Sequence, residues 1–84
     1  MNLVFTYKGL VVPIEIKSGK TGTLKTLHQF VQKAPHKFAV RIYGGQFNIE
    51  QVKTPAGVEY TLMNLPYYLG TKIPEYVKWF IDNN

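Results

Sequence analysis

The sequence predicts an α/β domain of the α+β kind, built on a mixed β-sheet of about five strands with two helices. Short segments rich in β-branched and aromatic residues are separated by turn signals, which is typical of strands. Two other segments carry apolar residues at helical spacing. With 84 residues, the chain is predicted to be a single domain, 1–84. The predicted order β-β-α-β-β-β-α favours a sheet with a helix on at least one face.

Five strands are predicted, each bounded by a segment that contains glycine, proline or both: 3–7, 10–17, 38–43, 47–52 and 58–63. The dipeptide Lys8-Gly9 joins the first two as a hairpin, and Gly44-Gly45 precedes the fourth strand. In the fifth strand, polar and apolar residues alternate, so that Val58, Tyr60 and Leu62 share one face.

Two amphipathic helices are predicted. The first covers 23–34, where Leu24, Leu27, Val31 and Ala34 recur at helical spacing and Pro35 ends the helix. The second covers 73–82, where Pro74 suits a first helical turn. Its apolar face is formed by Ile73, Val77, Phe80 and Ile81. We expect both apolar faces to pack on the sheet.

The composition excludes several classes of site. The chain has no cysteine, so it holds neither a disulfide nor a thiolate metal centre, and its two histidines are isolated. Lysine and arginine exceed acidic residues to give a net charge of +5, which favours anionic partners. There is neither a long apolar run nor a basic leader. We therefore expect a cytoplasmic protein without a membrane partner.

One sequence element has the residue types of a catalytic or metal-binding site. Glu15 and Lys17 are two residues apart on a predicted strand, so their side chains project from the same face about 6.6 Å apart. Val12, Ile14 and Ile16 are expected on the opposite face. A carboxylate beside an ammonium can bind Mg²⁺ and stabilise charge on a phosphodiester. The alternative is an ordinary ion pair on a half-solvated strand.

The setting of this pair resembles the restriction-endonuclease-like, or PD-(D/E)xK, superfamily. Four segments are similar to the C-terminal domain of unknown function of prokaryotic AAA-type ATPases: 13–19, 24–30, 39–43 and 62–69. The resemblance covers nearly the whole chain, and Asn-Leu-Pro-Tyr-Tyr-Leu is its most distinctive part. It implies a partial restriction-endonuclease-like fold with Glu15 and Lys17 as catalytic residues and Glu15 as the metal ligand.

The chain departs from this family at its start. The family pattern places an Asp on the first hairpin strand, whereas this chain has Asn2 or a neighbour there. An amide is a poor substitute for a metal-binding carboxylate. The family's ATPase portion is also missing upstream, so we expect a fragment or a degenerate remnant whose catalytic set is incomplete. No cofactor is expected, unless the chain is a nuclease, which would require Mg²⁺.

Basic and aromatic residues supply candidate binding surfaces. Lys20, Lys25 and Arg41 are candidate nucleic-acid contacts, and Lys33 and Lys37 lie in the same region. Scattered solubilising charges are the alternative. The aromatic residues near the C-terminus are expected in the core or at a subunit interface, with base stacking as the alternative: Tyr67, Tyr68, Tyr76, Trp79 and Phe80.

Three functions follow from these observations. The preferred one is a non-catalytic restriction-endonuclease-like domain that binds DNA or a protein such as the ATPase. The second is a Mg²⁺-dependent DNA nuclease that uses Glu15 and Lys17. The third is a homo-oligomerisation module with an exposed edge strand.

Overall fold

A mixed β-sheet of five strands forms the centre of the computed structural model, which describes residues 3–17 and 24–84 and the backbone of Asn2. In chain order the elements are β1 (Asn2–Tyr7), β2 (Leu10–Ile16), α1 (Lys25–Lys33), β3 (Phe38–Tyr43), β4 (Asn48–Lys53), β5 (Glu59–Pro66), a 3₁₀ helix (Tyr67–Lys72) and α2 (Ile73–Asn83). The predicted α+β class, with five strands and two helices, is confirmed.

The strands are arranged in the order β1-β2-β3-β5-β4. Two antiparallel hairpins, β1–β2 and β4–β5, form the outer parts of the sheet, and β3 lies between them, parallel to both β2 and β5. Lys8 and Gly9 turn the first hairpin with positive φ angles of 52° and 77°. The second hairpin closes through Thr54, whose carbonyl accepts from the Gly57 N–H at 2.9 Å.

Each face of the sheet is covered by one helix. Because successive residues of a strand point to opposite faces, Val40 and Ile42 pack towards α2 while Ala39 packs towards α1. The larger apolar cluster, on the α2 face, consists of Val12, Ile14, Val40, Ile42, Met63, Leu65, Val77 and Phe80. The smaller one, on the α1 face, consists of Leu27, Val31, Ala39, Tyr60 and Leu62.

Both helices use the predicted apolar stripe. Leu27 and Val31 are the buried residues of α1, and Val77 and Phe80 are those of α2. Lys37 lies beyond the end of α1, and its ammonium donates to the carbonyls of Val31 and Ala34 at 2.7 and 2.9 Å. The carbonyls at a helix C-terminus lack intrahelical partners, so this contact caps α1. Within the described residues, no helix is long and apolar enough to span a membrane.

Candidate functional site

The Glu15 and Lys17 side chains lie on the α1 face of the sheet. They project away from Val12 and Ile14, as predicted. The ammonium of Lys17 is 3.0 Å from Oε1 of Glu15. The side chain of Glu15 is 8% exposed and that of Lys17 is 25% exposed. The two groups therefore form a close and largely buried ion pair.

A row of aligned residues extends this pair across the whole sheet. The backbone register places Asn2 opposite Glu15, Glu15 opposite Arg41, Arg41 opposite Asn64, and Asn64 opposite Asn48. We call the described side chains of this alignment, together with Lys17 and Glu50, the polar row: Glu15, Lys17, Arg41, Asn48, Glu50 and Asn64. Sequence reasoning identified only Glu15, Lys17 and Arg41.

Asn64 is the central hydrogen-bonding residue of the polar row, and it is fully buried. Its Oδ1 accepts from Nε of Arg41 at 2.8 Å. Its Nδ2 donates to Oδ1 of Asn48 at 2.9 Å and to Oε2 of Glu50 at 2.6 Å. A buried amide is stable only when its donors and acceptor are used, and here the acceptor and the amide nitrogen both have partners.

Arg41 is held on several sides. Besides its bond to Asn64, its guanidinium lies 4.0 Å from Oε2 of Glu50 and 4.6 Å from the centre of the Tyr43 ring. Its side chain is only 12% exposed. Arg41, a candidate nucleic-acid contact, is thus positioned mainly by protein groups, and its role towards DNA stays a prediction.

The polar row lies towards the carboxyl ends of the three parallel strands, β2, β3 and β5, which are on the same side of the sheet. Ligands of open α/β sheets commonly bind outside the carboxyl ends of the strands. The hydroxyl of Tyr67, which directly follows β5, donates to the backbone carbonyl of Lys17. The fold therefore brings together two segments that are far apart in sequence, Glu15–Lys17 and Asn64–Tyr67.

The cations of this region belong to a segment without acidic residues. Positions 16–49 contain six of the ten lysine and arginine residues and none of the five acidic ones. Lys25 and Lys33, at the two ends of α1, are exposed. Lys20 lies outside the described residues. The sequence itself contains this charge segregation, which becomes evident when the positions of acidic and basic residues are compared.

Side chains of the kinds that bind metal ions do not cluster among the described residues. Among them, no group of three or more His, Asp or Glu side chains converges as metal ligands would. Glu15 is paired with Lys17, and the residue in register with it on β1 is an asparagine. Mg²⁺ prefers carboxylate oxygens to an amide oxygen, and the assignment of Asn2 to the position of the family's Asp stays a prediction.

Tyr60 lies below α1, beside the polar row. Burial, together with the negative charge of Glu50, raises the pKa of its phenol to about 12, although the nearby Arg41 acts in the opposite direction. Its hydroxyl is 3.0 Å from Nδ1 of His28, and the two rings meet edge to face. His28 is therefore a partly buried histidine on α1 that packs against Tyr60.

The aromatic residues near the C-terminus separate into two groups. Phe80 is fully buried in the core, whereas Tyr67, Tyr68 and Trp79 are 47%, 80% and 45% exposed. Phe80 therefore lies in the core, whereas the other three do not, and a position at a subunit interface stays a prediction for them. With Phe47 and Tyr76, the exposed Tyr68 and Trp79 line a cleft on the α2 side of the molecule.

Compared with protein-family models, with curated proteins and with solved structures, the chain shows no match. The resemblance to the C-terminal domain of AAA-type ATPases therefore stays a prediction.

Proposed function

We propose that this chain is a non-catalytic restriction-endonuclease-like domain, related to the C-terminal part of an AAA-type ATPase, that binds DNA in the cytoplasm. DNA is contacted through its phosphates on the α1 side of the sheet. The observation that carries this proposal is the segregation of charge: positions 16–49 contain no acidic residue, and Lys25, Lys33 and Lys37 of this segment are exposed. An exposed cationic surface attracts the DNA backbone whatever the base sequence.

The exposed ends of α1 supply the contacts. Lys25 and Lys33 lie on the outer surface of the helix, which has no acidic residue of its own. Lys37 extends the same surface, although its ammonium also caps the helix. By contrast, α2 carries Glu75 and Asp82. Phosphates would therefore approach the α1 side in preference to the α2 side.

The strand opposite Glu15 supports a non-catalytic role. The family pattern completes the metal site with an acid on the first hairpin strand, beside Glu15. The partner of Glu15 in the β1 register is Asn2 rather than an acid. In this proposal the Glu15–Lys17 pair and the rest of the polar row serve to hold the ends of the parallel strands together beneath the DNA.

The test is a DNA-binding measurement over a range of salt concentrations. The double variant Lys25→Ala/Lys33→Ala removes two exposed charges from α1 and should flatten the dependence of log Kd on log salt by about two contacts. Its matched control is Lys53→Ala/Lys72→Ala, which removes two exposed charges outside the acid-free segment. The control should bind almost as the unmodified chain does.

Equal losses in the two double variants would contradict the proposal, because they would reveal attraction by net charge alone. Absence of retention by the unmodified chain at low salt would contradict it as well.

A second function, a Mg²⁺-dependent DNA nuclease, is favoured by one observation. The carboxylate of Glu15 and the ammonium of Lys17 are adjacent near the carboxyl ends of the parallel strands, where ligands commonly bind. Supercoiled plasmid would then be nicked in Mg²⁺ or Mn²⁺, and Glu15→Gln and Lys17→Ala would abolish nicking. If the chain is non-catalytic, we expect no nicking by the unmodified chain. We also expect Asn2→Asp, which places an acid opposite Glu15, to increase Mg²⁺ affinity.

A third function, a homo-oligomerisation module, is favoured by β1. This strand is an edge of the sheet, and its Leu3 and Val4 are 41% and 59% exposed. An apolar edge strand can pair with a second chain. Light scattering over a range of concentrations would detect such a dimer, and Val4→Lys should prevent it. A dimer that forms without any affinity for DNA would favour this function over ours.

A further inference from the structure

We propose that the aromatic cleft on the α2 side binds a small quaternary ammonium compound. The cleft has a volume of about 630 Å³, which lies within the range of small-molecule sites. It is lined by four aromatic side chains, one aliphatic side chain and one carboxylate: Phe47, Tyr68, Tyr76, Trp79, Leu69 and Glu75. This site is separate from the α1 surface and goes beyond the proposed function.

The Phe47 ring contacts two of the other three aromatic rings of the cleft. The Phe47 ring centre lies 5.9 Å from that of Tyr76 and 6.2 Å from that of Trp79, with the ring planes tilted by 53° and 54°. Tilted contacts at these distances are favourable for aromatic pairs. Phe47 therefore supports the two α2 rings from one side, while Tyr68 and Trp79 keep much of their surface open to a ligand.

The negative charge of Glu75 in the cleft favours a cationic ligand. Glu75 is the charged residue among those that line it. Lys78, on the same helix, is directed elsewhere, since its ammonium lies 6.0 Å from the centre of the Tyr7 ring. Aromatic faces are electron-rich and attract cations, and quaternary ammonium groups are commonly bound in this way. The Glu75 carboxylate adds an electrostatic attraction for a cation, and it would repel a phosphate.

A quaternary ammonium group fits this chemistry better than a hydrated ammonium does. It carries a positive charge on an apolar surface of methyl groups, so the rings can contact it without leaving hydrogen-bond donors unsatisfied. Tyr68 and Trp79 would contact the methyl groups, and Glu75 would balance the charge.

The experiment uses Trp79 as its reporter, because it is the only tryptophan of the chain. Choline is titrated into the full chain while Trp79 fluorescence is followed. The same titration is made with the neutral carbon isostere of choline, in which a tert-butyl group replaces trimethylammonium. We expect saturable binding of choline and at least several-fold weaker binding of the isostere.

Two variants assign the interaction to its residues. Glu75→Gln keeps the shape of the side chain and removes its charge, and Tyr68→Leu removes a ring that is 80% exposed and not needed for the core. Each should weaken choline binding by about 2- to 5-fold. The control Glu59→Gln removes an exposed acid that does not line the cleft and should leave binding unchanged. Thermal unfolding verifies that all three remain folded.

Three outcomes would overturn the proposal. Equal binding of choline and its isostere would mean that the cleft is only apolar. A Trp79 signal that changes with protein concentration rather than with choline would mean that a second copy occupies the cleft. Quenching by an oligothymidylate in place of choline would identify a base-stacking surface. None of these results depends on Lys25 or Lys33, so the cleft and the DNA proposal fail separately.

Discussion

The two faces of the central sheet differ in what they bury. The α2 face holds the larger cluster, and its buried members are all apolar. The α1 face holds a smaller apolar cluster, and next to it the same strands carry the polar row. The α2 face therefore supplies most of the hydrophobic stabilisation, while the α1 face combines a modest core with buried polar groups that need partners.

Strand β3 illustrates how closely the two environments are interleaved. Val40 and Ile42 are buried against the α2 cluster, while the intervening Arg41 bonds to Asn64 on the other face. Because the side-chain period of a strand is two, a shift of one residue would exchange these environments. The register of β3 is thus determined by both faces at once, and a slip would bury a guanidinium among aliphatic groups.

The largest expected effect is on the α2 face. Phe80 is fully buried and meets Phe38 edge to face, with ring centres 5.5 Å apart. Phe80→Ala should lower the free energy of unfolding by about 3 to 5 kcal/mol. Its counterpart on the α1 face is Leu27→Ala, for which we expect a smaller loss. Urea denaturation followed by circular dichroism measures both, and a greater loss in Leu27→Ala would reverse the comparison between the faces.

The next effect is a pH dependence that belongs to the α1 face. The pKa of Tyr60 is raised from 10.0 to about 12 in the folded chain, chiefly by burial. Below pH 10 the phenol is protonated whether the chain is folded or not. Between about pH 10 and 12 the unfolded chain loses this proton first, so stability falls by about 2 to 3 kcal/mol. Denaturation at about pH 9, below that window, and at about pH 12, its upper limit, measures the loss.

The variant Tyr60→Phe isolates this contribution, since other tyrosines and the lysines also titrate at high pH. It has no phenol to ionise, so its stability should fall less over the same interval. A loss as large as that of the unmodified chain would mean that Tyr60 does not cause it.

A comparable or smaller effect is expected from the polar row. Asn64→Ala would leave Nε of Arg41 without its acceptor and would remove one hydrogen-bond donor from Glu50. Loss of a partner by such groups costs about 1 to 3 kcal/mol. Gln32→Ala, on the exposed surface of α1, is the control and should change stability little. If both variants unfold at the same urea concentration, the polar row does not stabilise the sheet.

The smallest effect is expected at the exposed contact between α2 and the first hairpin. Asp82 accepts from the Lys8 ammonium at 2.7 Å and from the Tyr7 hydroxyl at 2.9 Å, and these hydrogen bonds lower the pKa of its carboxyl. The contact is therefore present at neutral pH and is lost as the pH falls through that lowered pKa. Asp82→Asn should be only slightly less stable at pH 7 and should lose this pH dependence. A clearly larger loss than in Asn64→Ala would contradict this order.

The element types were predictable because their patterns are local. The boundaries of β3 agree with the prediction, whereas β5 continues to Pro66, three residues beyond its predicted end. The strand order was not predictable, since Gly44-Gly45 resembles a hairpin turn although β3 and β4 are not adjacent. Parallel pairing joins residues distant in sequence and has no turn signature.

The candidate site was predictable only in part for the same reason. The spacing of Glu15 and Lys17 places them on one face by strand geometry alone. The contacts of Asn64 with Arg41 and Glu50 depend on the register of three strands, which the sequence pattern does not contain. Helical spacing identified Phe80 as core, but it did not predict that the adjacent Trp79 would line a cleft with Phe47.

The central position of β3 has a consequence for folding kinetics. Each hairpin, β1–β2 or β4–β5, can form from neighbouring strands by closing a short loop, whereas β3 must pair with one strand from each. An isolated two-stranded hairpin is at best marginally stable in water. The two halves therefore gain persistent structure only when β3 joins them, and loop closure over longer separations slows that step. Because β3 pairs with both hairpins, it couples the two halves, and we expect the whole sheet to unfold cooperatively.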